Sequence, residues 1–103
     1  MRVTAEAEKD IDRQDCDRKK LAQEIKNHLK GSMDNKNISY VRKPEFGIEF
    51  HRLKLKESEF DHRIYFDYID SELVLFAVRH RDFAYSKEDL KEIENRLNGI
   101  NKD

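Results

Sequence analysis

Six consecutive apolar residues, Leu73–Val78, constrain the fold more than any other part of the chain. An apolar run of this length between polar flanks is typical of a strand buried on both faces of a sheet. In the segment before it, Ile64, Phe66 and Tyr68 occupy every second position, as the apolar residues of a half-buried strand do. The pair Asp70–Ser71 separates the two segments and predicts a tight hairpin turn between antiparallel strands.

A further strand is predicted before these two, and its apolar residues change phase. Ile48 and Phe50 alternate in one phase, whereas Leu53 and Leu55 alternate in the other. Because successive side chains of a strand point to opposite faces, the change predicts a β-bulge or a break between Phe50 and Leu53. The face opposite the two leucines then carries three basic residues, Arg52, Lys54 and Lys56.

Two helices are predicted before the strands. Thr4 is suited to cap a first helix with Ala7 and Ile11 on one face. After a polar turn at 14–17, a second helix is predicted to end at Gly31–Ser32. Its apolar stripe consists of Leu21, Ala22, Ile25, His28 and Leu29.

A third helix is predicted near the C-terminus. Ser86 and Asp89 have the spacing of a capping box, and Asn98–Gly99 is a typical helix end. Residues 33–47 are predicted to be mostly loop, with a short strand near Ile38–Val41. The order of elements predicts one α+β domain, residues 1–103, with an N-terminal helical hairpin packed on a small twisted antiparallel sheet and a C-terminal helix.

The composition favours a folded chain. Of the 103 residues 42% are charged, but 21 Lys and Arg nearly balance 22 Asp and Glu. Disordered chains usually combine low hydrophobicity with a large net charge, whereas this chain carries six Phe and four Tyr. No apolar run approaches a membrane span, no signal peptide opens the chain, and the single cysteine, Cys16, cannot form an internal disulfide. We therefore expect a cytoplasmic protein without a membrane partner.

Metal and cofactor sites are not expected. No pair of Cys or His residues has zinc-ligand spacing, and no glycine-rich phosphate loop is present.

The basic residues of the strands are the first candidates for a site. An alternating basic strand is more often a solvated surface, but Arg63 opens the next strand, and Arg79 and Arg81 follow the apolar run. If Arg63 shares a face with Lys54, the cations converge, and planar guanidinium groups suit phosphate oxygens. His80, between the two last arginines, is a candidate for contact with the same ligand.

Tyr85 stands just before the Ser86 cap. It is either an aromatic lid over the sheet, or a residue that contacts RNA, through a ring that stacks on a nucleotide base or a hydroxyl near the scissile phosphate. No carboxylates of the sheet segment have the spacing of a catalytic acid–base pair, so these residues are predicted to be solvated. His51 and His62 are predicted to lie at the surface or at the rim of the sheet.

These residues together resemble a known family. The segment 51–93 has the sequence HRLKLKESEFDHRIYFDYIDSELVLFAVRHRDFAYSKEDLKEI. It resembles the RelE/ParE toxins of bacterial and archaeal toxin–antitoxin pairs in its basic alternating strand, its acidic hairpin, its apolar strand with a basic end and the tyrosine before its last helix. The N-terminal stretches VTAEAEKDIDRQD and RKKLAQEIKNHLKG resemble the end of the family's first strand and its helical hairpin.

The resemblance implies a metal-independent endoribonuclease that cleaves mRNA on the ribosome. In RelE-like members the 2′-hydroxyl attacks the adjacent phosphate. By position, Lys54 matches the general base, Arg52 a supporting cation, Arg63 the arginine that stabilises the phosphorane, Arg81 the general acid or clamp, and Tyr85 the stacking tyrosine. General acid–base help and preorganised positive charge are what this reaction needs.

Lys56, Arg79 and His80 are the further expected substrate contacts, beside Arg52. Arg79 is an alternative to Arg81, because the spacing to Tyr85 is shorter than in RelE itself. The ending Arg79–Asp82 also resembles the ParE branch, whose members inhibit DNA gyrase by binding and lack the nuclease tyrosine. The implied partners are a cognate antitoxin, and mRNA with the ribosome or, alternatively, gyrase.

Overall fold

A mixed sheet with helices on both of its faces forms the molecule. The computed structural model describes residues 1–29, 37–57 and 60–101, and within them it contains three α-helices and a five-stranded sheet. In chain order the elements are β1 (Arg2–Val3), α1 (Ala5–Arg13), α2 (Arg18–Leu29), β2 (Ile38–Lys43), a 3-10 turn (Pro44–Phe46), β3 (Ile48–Glu57), β4 (Phe60–Ile69), β5 (Glu72–His80) and α3 (Lys87–Asn101). The predicted α+β class is confirmed.

The strands lie in the order β1-β5-β4-β3-β2. Strands β2 to β5 pair antiparallel, but β1 pairs parallel with β5, with Arg2 opposite Val74 and Val3 opposite Leu75. The sheet is therefore mixed rather than wholly antiparallel as predicted. A strand of two residues is too short for its pattern to indicate a direction, and the parallel pairing arises because the helical hairpin separates β1 from the other strands.

Each face of the sheet has its own core. One face, which we call the hairpin face, packs against the helical hairpin formed by α1 and α2. The opposite face, which we call the α3 face, packs against α3. In β3, Ile48 and Phe50 lie in the α3-face core, whereas Leu53 and Leu55 lie in the hairpin-face core. The strand is unbroken and its register with both neighbours is continuous, so the predicted bulge or break between Phe50 and Leu53 is wrong. The apolar residues of both alternation phases are buried because helices cover both faces of the sheet.

The bulge of this sheet lies in β5 instead. Tyr65 of β4 is opposite Ala77, but the next residue, Phe66, is opposite Leu75, which leaves Phe76 as the extra residue. Phe76 and Ala77 both belong to the α3-face core. Beyond the bulge the alternation of β5 is shifted by one residue, which places Arg79 on the α3 face.

The helix ends follow local hydrogen bonds. Thr4 caps α1 as predicted, since its Oγ1 accepts the N–H of Ala7 at 3.2 Å. Asp17 closes the predicted turn and accepts two N–H groups of the first turn of α2. Helix α3 continues through Gly99 to Asn101 rather than ending at Asn98–Gly99, because Ile100 of its last turn packs against the α3-face core.

Two further predictions concern the segment between α2 and β3. The predicted helix end at Gly31–Ser32 lies outside the described residues. Strand β2 covers Ile38–Lys43 and is longer than the strand predicted near Ile38–Val41. Among the described helices, none is both long and apolar enough to cross a membrane.

The predicted hairpin turn between β4 and β5 is confirmed. Ile69 pairs with Glu72, and the two residues between them have positive φ angles, 52° at Asp70 and 66° at Ser71. Two positive φ angles define a type I′ turn, which matches the twist of the flanking strands and favours glycine.

We predict that Ser71→Gly stabilises the protein by about 0.5–1 kcal/mol, because glycine adopts a positive φ without the steric cost of a Cβ. Urea unfolding measures this change. The same substitution at the helix cap, Ser86→Gly, should lower stability by a few tenths of a kcal/mol. A Ser71→Gly variant less stable than the parent would contradict the prediction.

A buried ion cluster closes the free edge of β5. Because β1 has only two residues, no strand among the described residues pairs with β5 beyond Leu75 on that side. Asp10 of α1, only 1% exposed, accepts the N–H of Val78 at 3.1 Å, and Arg96 of α3 donates to the carbonyl of Phe76 at 2.9 Å. The same carboxylate pairs with Arg96 at 2.6 Å and with Arg79 at 2.7 Å. The cluster joins α1, β5 and α3.

The ionised form of Asp10 is favoured in this setting. Burial raises the pKa of this carboxyl group, but the hydrogen bonds from Arg96 and Val78 and the charge of Arg79 outweigh burial. The pKa of Asp10 therefore lies below its ordinary value.

We predict that Asp10→Ala lowers the free energy of unfolding by about 3–5 kcal/mol, because it removes the buried carboxylate that two part-buried guanidinium groups share. Asp12→Ala is the matched control on the same helix. Asp12 pairs with the exposed Arg18, and surface pairs contribute at most about 1 kcal/mol. Chemical denaturation measures the free energy of unfolding of both variants. An equal decrease in the two variants would contradict the prediction.

Candidate functional site

Three cations lie side by side across the α3 face. Lys54 of β3 is opposite Arg63 of β4, and Arg63 is opposite Arg79 of β5. We name these three residues the cationic row. Cross-strand neighbours have their Cβ atoms about 5 Å apart, and like charges at this distance destabilise a sheet. The register puts Lys54 and Arg63 on one face, which was the condition for the cations to converge, and carboxylates or an anionic ligand have to offset their charges.

Arg79 is engaged by the fold. Its guanidinium group contacts Asp89 through Nε at 2.6 Å, Asp10 through Nη1 at 2.7 Å and Glu92 through Nη2 at 3.1 Å. Burial lowers the pKa of Arg79, but the hydrogen bond to Asp89 and the charge of Asp10 together outweigh burial. The pKa of Arg79 therefore lies above its ordinary value. The arginine that follows β5, Arg81, keeps 57% of its side chain exposed. Of the two alternatives, Arg81 is thus the one placed to meet a ligand.

Asp61 connects Arg63 with Arg81. Its Oδ1 lies 3.1 Å from Nη1 of Arg63, and its Oδ2 lies 3.1 Å from Nε of Arg81. Arg63 is buried, and its Nη1 also donates to the carbonyl of His62. The prediction that the carboxylates of this segment are simply solvated is therefore wrong for Asp61. Its position two residues before Arg63 in one strand, which puts both on one face, was the signal for this contact.

Lys54 is half-buried beside these arginines. Its backbone N–H donates to the carbonyl of Asn37 at 2.8 Å, which ties β3 to the residue that precedes β2. Lys56 continues the same face of β3, opposite Asp61. The side chain of Lys56 lies outside the described part of the structure.

Arg52 and Tyr85 lie next to the cationic row. Arg52 is opposite Tyr65 in the neighbouring cross-strand pair. Its Nη1 donates to the hydroxyl of Tyr85 at 3.3 Å, and its Nη2 donates to the hydroxyl of Ser39. The ring of Tyr85 stacks on that of Tyr65, with centroids 5.7 Å apart and an interplanar angle of 27°. A shallow open groove runs along β2 here, lined by Ser39, Tyr40, Val41, Arg42, Lys43, Arg52 and Tyr85.

Tyr85 has a strained backbone. Its φ of 68° lies in the left-handed region, which a bulky residue rarely adopts. Asp89 holds it there by accepting the N–H of Tyr85 at 3.0 Å and the hydroxyl of Tyr65 at 2.9 Å. Such strain persists only where surrounding contacts maintain it, and it is concentrated at functional sites.

The same contacts correct the predicted capping box. Ser86 accepts the N–H of Asp89 at 3.1 Å as expected, but the carboxylate of Asp89 bonds Tyr85 and not Ser86. Burial, followed by the charge of Asp89, raises the pKa of Tyr65, so its phenol stays protonated as a donor.

His80 lies away from the cationic row. It is opposite His62, and Leu55, the partner of His62 in β3, belongs to the hairpin-face core. His62 is only 4% exposed, so the prediction of a surface or rim position for it is wrong. The structure brings Lys54, Arg63, Arg79, Arg52 and Tyr85 together on the α3 face, joins Arg81 to them through Asp61, and leaves His80 on the other face.

The hydrogen bonds of Gln14 define the tautomer of His62. Nε2 of Gln14 donates to the carbonyl of Asp10 at 2.9 Å, which leaves Oε1 of Gln14 facing His62. This oxygen accepts a hydrogen bond from the Nε2–H of His62 at 3.1 Å. The buried Nδ1 of His62 then carries no hydrogen, and it has no partner among the described residues. Burial, with a smaller contribution from His80, lowers the pKa of His62.

We predict that acid destabilises the fold through His62. Below about pH 6.5, the ordinary imidazole pKa, the unfolded chain binds a proton that the folded chain binds only at lower pH. The free energy of unfolding therefore does not depend on His62 protonation above that pH. As the pH decreases below it, the free energy of unfolding decreases by up to about 1.4 kcal/mol per pH unit. Urea unfolding at pH 8 and pH 5.5 tests this, with His62→Gln as the comparison. A parent and a variant with the same loss of stability would contradict it.

Comparisons with family models, with curated proteins and with solved structures each found no match for this chain. In the described residues, no three side chains of His, Cys, Asp or Glu are grouped so that they could hold a metal ion.

Proposed function

We propose that this protein is a RelE-like toxin of a toxin–antitoxin pair, an endoribonuclease that cleaves mRNA on the ribosome. One observation carries the proposal: Lys54 and Arg63 are direct cross-strand neighbours on the α3 face, beside a strained tyrosine bonded to Arg52. Like charges in direct opposition are unfavourable in a sheet. Local departures from the rules of folding are expected at functional sites.

The reaction that fits these groups is transesterification of RNA. Lys54 as the neutral amine takes the proton of the 2′-hydroxyl, the 2′-oxygen forms a bond to phosphorus, and the bond from phosphorus to the 5′-oxygen breaks. A water molecule protonates the leaving 5′-oxygen, and the proton taken up by Lys54 returns to solvent. The products are a 2′,3′-cyclic phosphate and a 5′-hydroxyl. In this step Lys54 acts from its neutral amine form, as a general base must.

The neighbouring residues supply charge and contact area. Arg63 and Arg81 stabilise the negative charge that develops on the phosphate, and Arg81 is the more accessible of the two. Arg52 binds the adjacent phosphate and keeps the hydroxyl of Tyr85 in place. Tyr85 stacks on a base that enters the groove along β2, since aromatic rings bind single-stranded bases in this way.

A second function has one observation in its favour. Carboxylates compensate Arg63, Arg79 and Arg81, an arrangement that suits a protein-binding surface as well as a nuclease. A ParE-like inhibitor that binds DNA gyrase without cleaving RNA is the corresponding proposal. Under either proposal the protein acts in the cytoplasm, and a cognate antitoxin protein binds and neutralises it.

We predict that Lys54→Ala slows RNA cleavage by about 10²–10⁴-fold, the usual contribution of a general base. Arg63→Gln should slow it by about 10²–10³-fold through loss of charge stabilisation. The assay uses purified protein with ribosomes carrying a defined mRNA, and it scores 2′,3′-cyclic phosphate ends. Lys91→Ala, a change at an exposed position of α3, is the control and should cleave like the parent.

A 2′-deoxy nucleotide at the cut position supplies a chemical control, because it removes the nucleophile and should abolish cleavage there. Cleavage by both variants at the parental rate would overturn the nuclease assignment. An intact message together with inhibited supercoiling by purified gyrase would favour the second function instead.

A further inference from the structure

Two arginines of the site share one internal anion. The carboxylate of Asp61 contacts Nη1 of Arg63 with one oxygen and Nε of Arg81 with the other, both at 3.1 Å. The backbone N–H of Arg81 also donates to the carbonyl of Asp61 at 3.0 Å. This backbone bond holds the turn after β5 against β4, so the two guanidinium groups flank the carboxylate.

An RNA phosphate would use the same donors. Carboxylates and phosphates both accept charge-assisted hydrogen bonds from guanidinium N–H groups. Arg63 exposes only 9% of its side chain, and the described contacts of its Nη1 are Asp61 and the carbonyl of His62. An anion that binds both arginines through these atoms has to replace Asp61, whose side chain is 30% exposed and accessible to displacement.

We propose that Asp61 is a built-in competitor of the substrate phosphate, which masks the anion-binding site until an RNA phosphodiester displaces it. The proposal rests on the proposed nuclease function and adds a regulation of that site. Asp61 holds Arg63 and Arg81 at the spacing of a bound anion in the absence of RNA. It also weakens the binding of isolated phosphates, so that only a ligand with further contacts, such as a polynucleotide strand on Arg52 and Tyr85, binds tightly.

The test compares two substitutions that remove the same charge. Asp61→Asn keeps the shape of the side chain but removes the charge that competes with phosphate. Asp82→Asn is the matched control: Asp82 lies 3.5 Å from Nε of Arg81, and its side chain is 65% exposed. Since both variants change the net charge equally, general electrostatic attraction to RNA is matched between them.

The probes are inorganic phosphate and a single-stranded oligonucleotide with 2′-deoxy nucleotides, which binds without being cleaved. We expect Asp61→Asn to bind both about tenfold more tightly than the parent, the effect of one charged hydrogen bond. Asp82→Asn should stay within about twofold of the parent. Calorimetric titration measures both affinities, and thermal melting checks that each variant is folded. If Asp61→Asn does not fold, Asp61→Ser replaces it in the same comparison, with the same expected result.

Weaker or unchanged binding by Asp61→Asn, relative to Asp82→Asn, would overturn the proposal, because Asp61 would then only position the arginines. The phosphate titration separates this failure from a failure of the nuclease assignment. A chain that never cleaves RNA but binds inorganic phosphate more tightly as Asp61→Asn retains the masked anion site and loses only the proposed reaction. Absence of phosphate binding by every variant would overturn the masked site itself.

Discussion

The carboxylate of Asp10 is the interaction on which the rest of the structure depends. Because β1 is so short, the end of β5 would leave backbone groups unpaired inside the protein, and such groups are costly. Asp10 and Arg96 satisfy them, and the same ion cluster holds Arg79 against α3. Asp89, the second carboxylate on Arg79, also bonds the backbone of Tyr85. The candidate site is thus attached to the same buried charges that close the sheet.

Sequence patterns predicted the secondary structure well where the signal lay within a few neighbouring residues. The apolar run of β5, the turn at Asp70–Ser71 and the Thr4 cap are local signals that the structure confirms. The phase change between Phe50 and Leu53 was misinterpreted, because one strand does not show whether one or both of its faces are covered. Pairing of distant elements decides that question, and it decides the direction of β1 as well.

The site could be predicted only in part. Alternation correctly placed Arg52 and Lys54 on the face opposite Leu53 and Leu55, because that depends on the geometry of a single strand. Whether Arg63 shares this face depends on the register between two strands, which the sequence left open. The roles of Asp61 and Asp89 depend on which residues the fold brings to them, and neither position stands out by composition. The burial of His62 likewise follows from the helical hairpin of α1 and α2 that packs over it, not from its neighbours in the sequence.

The extra residue in β5 has a consequence for comparing this chain with others. Phe76 has no partner in β4, and every residue after it is displaced by one position relative to a regular strand. A related sequence without that residue would have to be aligned with a one-residue gap at this point. Aligned without the gap, its basic residues would be matched to the wrong side of the sheet, and Arg79 would be equated with a residue on the hairpin face.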